Sequence, residues 1–181
     1  MWERRNIPNL LTYLRIGVIP LLVVVYYLPN ALGHWLAALL FALAAITDYF
    51  DGYLARNWEV QSKIGRFLDP IADKLLVAAV IIVLVDRNQI TGIHCLPAIA
   101  IMCREILVSG LREHLAEMQV NVPVTTLAKW KTGLQMGALF WLLLGNVFPM
   151  GELLGMILLW GSALLTVQTG YLYLKHGLKH F

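Results

Sequence analysis

Four aspartates recur at set intervals through one stretch of the chain, Asp48-x2-Asp51-Gly52-x2-Ala55-Arg56-x8-Gly65-x3-Asp69-x3-Asp73. Carboxylate oxygens are hard ligands, suited to Mg²⁺, Mn²⁺ or Ca²⁺ and unsuited to metals that prefer thiolates. If the stretch is helical, Asp48 and Asp51 share one face, as do Asp69 and Asp73, each pair separated by about one turn of roughly 5.4 Å. Two divalent ions would cancel four negative charges. Gly52 and Gly65 fall near the acids, where the lack of a side chain lets a ligand approach the backbone. Arg56 follows one turn beyond Gly52, and its planar cationic fork suits phosphate oxygens. Acids for metals, glycines for access and an arginine for charge describe a diphosphate site, in which paired metals stabilise both the attacking and the leaving oxygen.

The setting sharpens this reading. The chain has 181 residues, 59% of them hydrophobic, and a mean hydropathy of +0.70, against about 45–50% apolar residues in soluble domains. It reads as an all-α integral membrane protein, a single domain over residues 1–181. Segments near 9–29, 34–55, 70–86, 93–116, 127–148 and 151–174 each approach the roughly 20 residues that cross the hydrocarbon core as helix. One Asp at the centre of such a helix costs roughly 2.5–3.5 kcal/mol, so four cost on the order of 10 kcal/mol unless compensated. Solvated acids at helix ends account for one or two of them, not for four in register.

Lys and Arg distribution sets the orientation. Arg4 and Arg5, then Arg56, Lys63 and Arg66, then Lys129 and Lys131, then Lys175 and Lys179 fall on one side, while residues 29–34 and 145–152 have no Lys or Arg and the 86–93 loop has only Arg87. Both termini are therefore expected inside, with six spans, a short interfacial segment over residues 1–8, and a helix beginning near Pro8 with Asn9 as a possible N-cap. A cleaved signal peptide is not expected, because the first apolar run is long, carries Arg15 and lacks a small-x-small site. The net charge of +3 follows from this topology and from contact with anionic lipid, and the dispersed basic residues form no nucleic-acid stripe. Proposed turns fall at Pro29-Asn30, Asn57-Trp58, Asp86-Arg87-Asn88, Asn121-Val122-Pro123 and Pro149-Met150-Gly151.

Other residues read more plainly. Cys95 and Cys103 are not expected to form a disulfide, and the five histidines, scattered over different elements, form no metal spacing. Trp35, Trp58, Trp130, Tyr171 and Tyr173 read as belt anchors. Gly133-x3-Gly137 and Gly151-x3-Gly155 fit the pattern that lets membrane helices approach closely, within one chain or between two. Arg104 is flanked by apolar residues and needs a buried anionic partner, for which a phosphorylated ligand would serve. Arg112 lies two turns on, broadly on the same side, with Glu105, Glu113 and Glu117 nearby.

The aspartate string matches, without a departure, the signature of the CDP-alcohol phosphotransferase family, and the chain is similar to that family over its whole length. The resemblance implies that Asp48, Asp51, Asp69 and Asp73 bind two divalent cations, Mg²⁺ or Mn²⁺, with Asp73 also the general base. It implies that Gly52 and Gly65 border the cytidine nucleotide, that Arg56 contacts the diphosphate, and that Asn9 and Thr12 take part in binding CDP-diacylglycerol. The run Arg104-Glu105-Ile106-Leu107-Val108-Ser109-Gly110-Leu111-Arg112-Glu113, with Lys129-Trp130-Lys131-Thr132 and the opening Asn6-Ile7-Pro8-Asn9-Leu10-Leu11-Thr12 plus Arg15, resembles the bacterial branch that makes phosphatidylglycerophosphate. That implies sn-glycerol 3-phosphate as acceptor, held by Arg104, Arg112, Lys129 and Lys131. It also implies a homodimer in the bacterial inner membrane, among membrane lipids, with the site facing the cytoplasm. The rivals are another acceptor, such as inositol, inositol phosphate, serine or phosphatidylglycerol, and, in a different class, a divalent-cation channel or transporter. A membrane prenyltransferase would need more spans and lacks the Gly-x2-Ala-Arg spacing.

Overall fold

A computed structural model describes the backbone of residues 2–58, 63–118 and 126–177, and the side chains of 12–48, 68–115, 118, 127–145 and 147–175. The described residues form helices without strands: α1 (Trp2–Tyr26), α2 (Ala31–Trp58), α3 (Lys63–Asp86), α4 (Cys95–Glu117), α5 (Thr126–Leu144) and α6 (Gly151–Gly177), with 3-10 turns at Gly92–His94 and Gly145–Val147. Three stretches are long and apolar enough to cross a membrane, Ala31–Asp48, Gly92–Leu115 and Gly151–Lys175. Helices α3 and α5 carry the charges that the site needs, which lowers their hydropathy.

Helix α1 is one continuous element from Trp2, so Asn9 lies inside a helix and is not its cap. The helix also runs through Pro8, as membrane helices tolerate when neighbours satisfy the freed carbonyl. Its buried face is Thr12, Arg15, Leu22 and Tyr26, a spacing of three, seven and four residues that stays on one side of a 3.6-residue helix. Helix α5 buries Lys131, Gln135, Ala138, Leu139 and Leu142 in the same manner. That stripe starts polar and turns apolar, so one face serves a site at its beginning and the core beyond.

Turns place the helix ends. Backbone at Asn88 (φ 57°), Gly92 (φ 54°), Gly145 (φ 49°) and Met150 (φ 65°) is left-handed, in or beside the expected 86–88 and 149–151 turns; the expected turn near Pro29-Asn30 is also present, whereas residues 121–123 lie outside the described residues. Three connections meet at one end of the bundle: Tyr27 donates its hydroxyl hydrogen to Asp86 Oδ2 at 2.6 Å, Arg87 covers the Tyr27 ring at 5.3 Å, and Trp35 packs on Phe148 at 6.5 Å. The aspartates are carried toward the other end.

Between helices in lipid, close packing replaces the hydrophobic drive. A Cβ at Gly155 would lie 2.6 Å from Leu142 Cγ, and one at Gly151 would lie 2.9 Å from the Gly145 carbonyl oxygen. Gly151-x3-Gly155 is thus an internal α5–α6 contact, whereas Gly133 faces open space. Both cysteines are free, as expected. Tyr171 and Trp130 are exposed, as belt anchors should be, but Tyr173 is buried and belongs to the site.

Candidate functional site

Helices α2 and α3 each carry one aspartate pair of the string but do not bring them together by packing mainly on each other. Among the described residues both instead pack mainly on α1, and α1 holds the acids. Arg15, 2% exposed, places Nη1 at 2.5 Å from Asp48 Oδ1. Thr12 Oγ1 donates to Asp69 Oδ1 at 2.5 Å. One helical turn of α1 therefore addresses one carboxylate from α2 and one from α3.

Asp73 sits one turn beyond Asp69 on α3, within electrostatic reach of Asp48, Glu105, Arg15 and Lys74. Pro70, in the turn between them, frees no donor of its own but accepts 2.6 Å from Lys74 Nζ, which ties that cation back along α3. Asp51, Gly52 and Arg56 are on α2 and Gly65 on α3, while the side chains of Asn9, Asp51 and Arg56 and the surroundings of both glycines lie outside the described residues.

The donor set fits a hard divalent cation. Arg15 and Thr12 each engage an Oδ1 atom, and a carboxylate has about four lone-pair positions, so the second oxygens keep capacity for an ion. Among the described residues no group of three or more His, Cys, Asp or Glu is arranged to hold a metal ion; Asp51 would add the fourth carboxylate of the string.

Beside the acids lies a cationic cluster built from α4, α5 and α6. Arg104 Nη1 meets Glu105 Oε1 at 3.1 Å and its Nη2 donates to Thr169 Oγ1 at 3.2 Å. Lys131, 3% exposed, bonds to the same Glu105 oxygen. Gly170 makes room for this arrangement, since a Cβ there would lie 3.0 Å from Arg104 Cγ. Arg112 Nη2 donates to the Tyr173 hydroxyl at 3.0 Å, and the guanidinium carbons of Arg104 and Arg112 stand 5.8 and 5.6 Å from the Tyr173 ring centroid. The expectation that these arginines share a side holds. The expectation that Arg104 needs a ligand as its anionic partner does not, because Glu105 supplies one from the same helix. Lys129 is exposed; two residues from Lys131, it points about 200° away around the helix and does not join the cluster.

Glu105 carries one negative charge between two cations, so this trio keeps a positive surplus. A narrow cleft joins it to the acids, lined by Asp73 and Lys74 of α3, Met102 and Glu105 of α4, and Lys131, Thr132 and Gln135 of α5. Sequence reasoning missed Arg15 as an aspartate partner, Tyr173 and Gln135. Gln135 follows Lys131 by one turn inside an apolar helix, a signal that was readable.

The sequence was compared with those of known proteins. A family model described as CDP-alcohol phosphatidyltransferase matches residues 5–168. A protein of Rickettsia bellii (strain RML369-C) is 51% identical over 180 residues, covering 97% of each chain. Another of Rickettsia felis (strain ATCC VR-1525 / URRWXCal2) is 49% identical over 180 residues, covering 98% of each, and one of Salmonella choleraesuis (strain SC-B67) is 46% identical over 173 residues, covering 94% of this chain and 93% of its own. All three bear the name CDP-diacylglycerol–glycerol-3-phosphate 3-phosphatidyltransferase.

Proposed function

The chain belongs to the CDP-alcohol phosphatidyltransferase family, and from that premise we propose that it transfers the phosphatidyl group of CDP-diacylglycerol to sn-glycerol 3-phosphate, giving phosphatidylglycerophosphate and CMP. The names of its relatives support donor and acceptor. The observation that carries the reading is the position of Asp73, one turn after Asp69 on α3 and lining the same cleft as Glu105 and Lys131 of the cationic cluster. An acid between a diphosphate site and a phosphate-attracting cluster is where an acceptor hydroxyl must lose its proton.

In this mechanism the primary hydroxyl of glycerol 3-phosphate gives its proton to Asp73 and attacks the lipid-proximal phosphorus. The bond from that phosphorus to the bridging oxygen breaks, and CMP leaves with the electron pair. Asp48, Asp51, Asp69 and Asp73 hold the divalent cations, whose contribution when bound is to neutralise charge on the diphosphate oxygens. Arg56, with Gly52 and Gly65 beside it, receives the nucleotide diphosphate, and Asn9 borders the lipid donor. Thr12 works through Asp69, orienting that carboxylate rather than touching the nucleotide. Arg104, Arg112 and Lys131 draw the acceptor phosphate, and holding it aligns the hydroxyl for in-line attack.

Six spans with both termini in the cytoplasm complete the reading, and the clustering of three turns opposite the aspartates supports it. The site then opens at the inner face of the bacterial membrane, where the acyl chains remain in lipid, and the protein works as a homodimer. The acceptor test is CMP release by the purified protein from CDP-diacylglycerol with glycerol 3-phosphate, serine, inositol phosphate or phosphatidylglycerol, with and without Mg²⁺ or Mn²⁺. Release confined to glycerol 3-phosphate plus a divalent ion is expected; equal release with a neutral alcohol overturns the acceptor assignment. Asp73→Asn should retain insertion and lose nearly all turnover.

A further inference from the structure

In the cleft beside Asp73 and the cationic cluster, Gln135 carries a polar atom that the proposed reaction does not use. Gln135 is 3% exposed, lies one turn after Lys131 on α5, and lines the cleft, yet its Oε1 is buried without a hydrogen-bond partner. The bonds its polar neighbours make go elsewhere: Lys74 donates to the Pro70 carbonyl at 2.6 Å, Thr132 to the Ala128 carbonyl at 3.1 Å, and Oε1 of Glu105 meets Arg104 and Lys131. A buried acceptor left unpaired is costly, and ligand binding is the simplest way for it to be satisfied.

A carboxamide oxygen accepts a hydrogen and carries no charge. It therefore repels a phosphate oxygen and selects an O–H or N–H donor. Resting on the reading of the cleft given above, we infer that Gln135 accepts the hydrogen of the hydroxyl on the carbon next to the reacting one, so that the protein selects a vicinal diol phosphate over a simple alcohol phosphate. Three ends of a small acceptor then meet three groups: the reacting hydroxyl meets Asp73, the phosphate meets the Lys131 and Arg104 side, and the middle hydroxyl meets Gln135. Met102 and Met136 line the same cleft and offer no alternative strong acceptor.

The experiment compares kcat/KM for sn-glycerol 3-phosphate with that for 3-hydroxypropyl phosphate, which lacks only the middle hydroxyl. A site with a buried group made for a substrate hydroxyl discriminates strongly, so the wild-type protein should prefer glycerol 3-phosphate by about 100-fold or more. In Gln135→Met, similar in size but without the oxygen, that preference should fall to within about a few-fold, with the loss appearing mainly as a higher KM for glycerol 3-phosphate. Gln135→Asn withdraws the oxygen by one methylene and should lose the preference in the same direction, which keeps the test intact if the Met variant does not accumulate. A wild-type protein that treats both acceptors alike, or a variant that keeps the wild-type ratio, overturns the role of Gln135 while leaving glycerol 3-phosphate as acceptor. A wild-type protein that releases CMP only with an alcohol other than glycerol 3-phosphate overturns the acceptor assignment and this inference with it.

Discussion

Arg15 Nη1 stands 2.5 Å from Asp48 Oδ1, so the first acid of the signature is held from a different helix by a cation that is almost wholly buried. The pair neutralises one of the four charges before any metal binds. Arg15→Met leaves Asp48 without that compensation, and breaking such a part-buried pair costs about 1–3 kcal/mol. The variant in detergent should melt at a lower temperature in chelator than the wild type, and the rise in Tm on adding Mn²⁺ should be larger than the wild-type rise. An unchanged Tm in chelator would remove Arg15 from this role.

Thr12 supplies a different service. Its hydroxyl hydrogen fixes one oxygen of Asp69, and partners that orient a ligating carboxylate are worth about 10- to 100-fold in metal affinity. Thr12→Val keeps the shape and removes the donor. The Mn²⁺ concentration for half-maximal CMP release should rise by about tenfold, while Thr12→Ser should stay near wild type. Equal curves for Thr12→Val and wild type would mean that the bond is incidental to metal binding.

These two α1 residues mark the boundary of what sequence alone makes legible. The aspartate string is readable because its spacing, three and four residues, has one helical interpretation and its cost in lipid demands a use. Three of the apolar segments are readable for the same reason of scale, Ala31–Asp48, Gly92–Leu115 and Gly151–Lys175 being long and apolar enough to cross a membrane. That α1 addresses Asp48 and Asp69 is a tertiary fact, decided by which helices pack together, and no periodicity within α1 encodes its neighbour. A usable signal was nonetheless present: Arg15 interrupts an apolar run and needs an acid as much as Arg104 does. Tyr173 misled in the opposite sense, because an aromatic near a helix end reads as an anchor until its helix is seen to turn it inward between two arginines.

Gly155 and Gly133 separate packing within the chain from free surface. A Cβ at Gly155 meets Leu142 at 2.6 Å, while nothing lies within 4 Å of one at Gly133. Gly155→Ala overpacks the α5–α6 contact and should destabilise by about 1–3 kcal/mol, lowering Tm without changing the KM for either substrate. Gly133→Ala should leave Tm unchanged in dilute detergent. A Gly133→Ala variant that shifts the elution of the protein toward a smaller species would instead place that face in a subunit contact.

Glu105 and Lys131 allow a test by non-additivity. Lys131 is buried and its ammonium bonds a Glu105 oxygen that Arg104 also contacts. Lys131→Met removes one cation and leaves Glu105 with Arg104 alone, which is still a neutral pair. Glu105→Gln removes the acid that both cations contact and leaves them facing each other in low dielectric, so it should be the more damaging single change in the absence of ligand. In the double variant Arg104 keeps its positive charge and the repulsion is gone, so Tm should recover relative to Glu105→Gln, with a coupling of about 0.5–3 kcal/mol. Under the proposed role of the cluster in drawing the acceptor phosphate, activity should follow a different order: Glu105→Gln keeps the positive surplus of the trio and Lys131→Met cancels it. The KM for glycerol 3-phosphate should therefore rise more in Lys131→Met than in Glu105→Gln even though the latter is less stable. If KM and Tm instead move in step across the three variants, the cluster is a structural brace and the acceptor phosphate binds elsewhere.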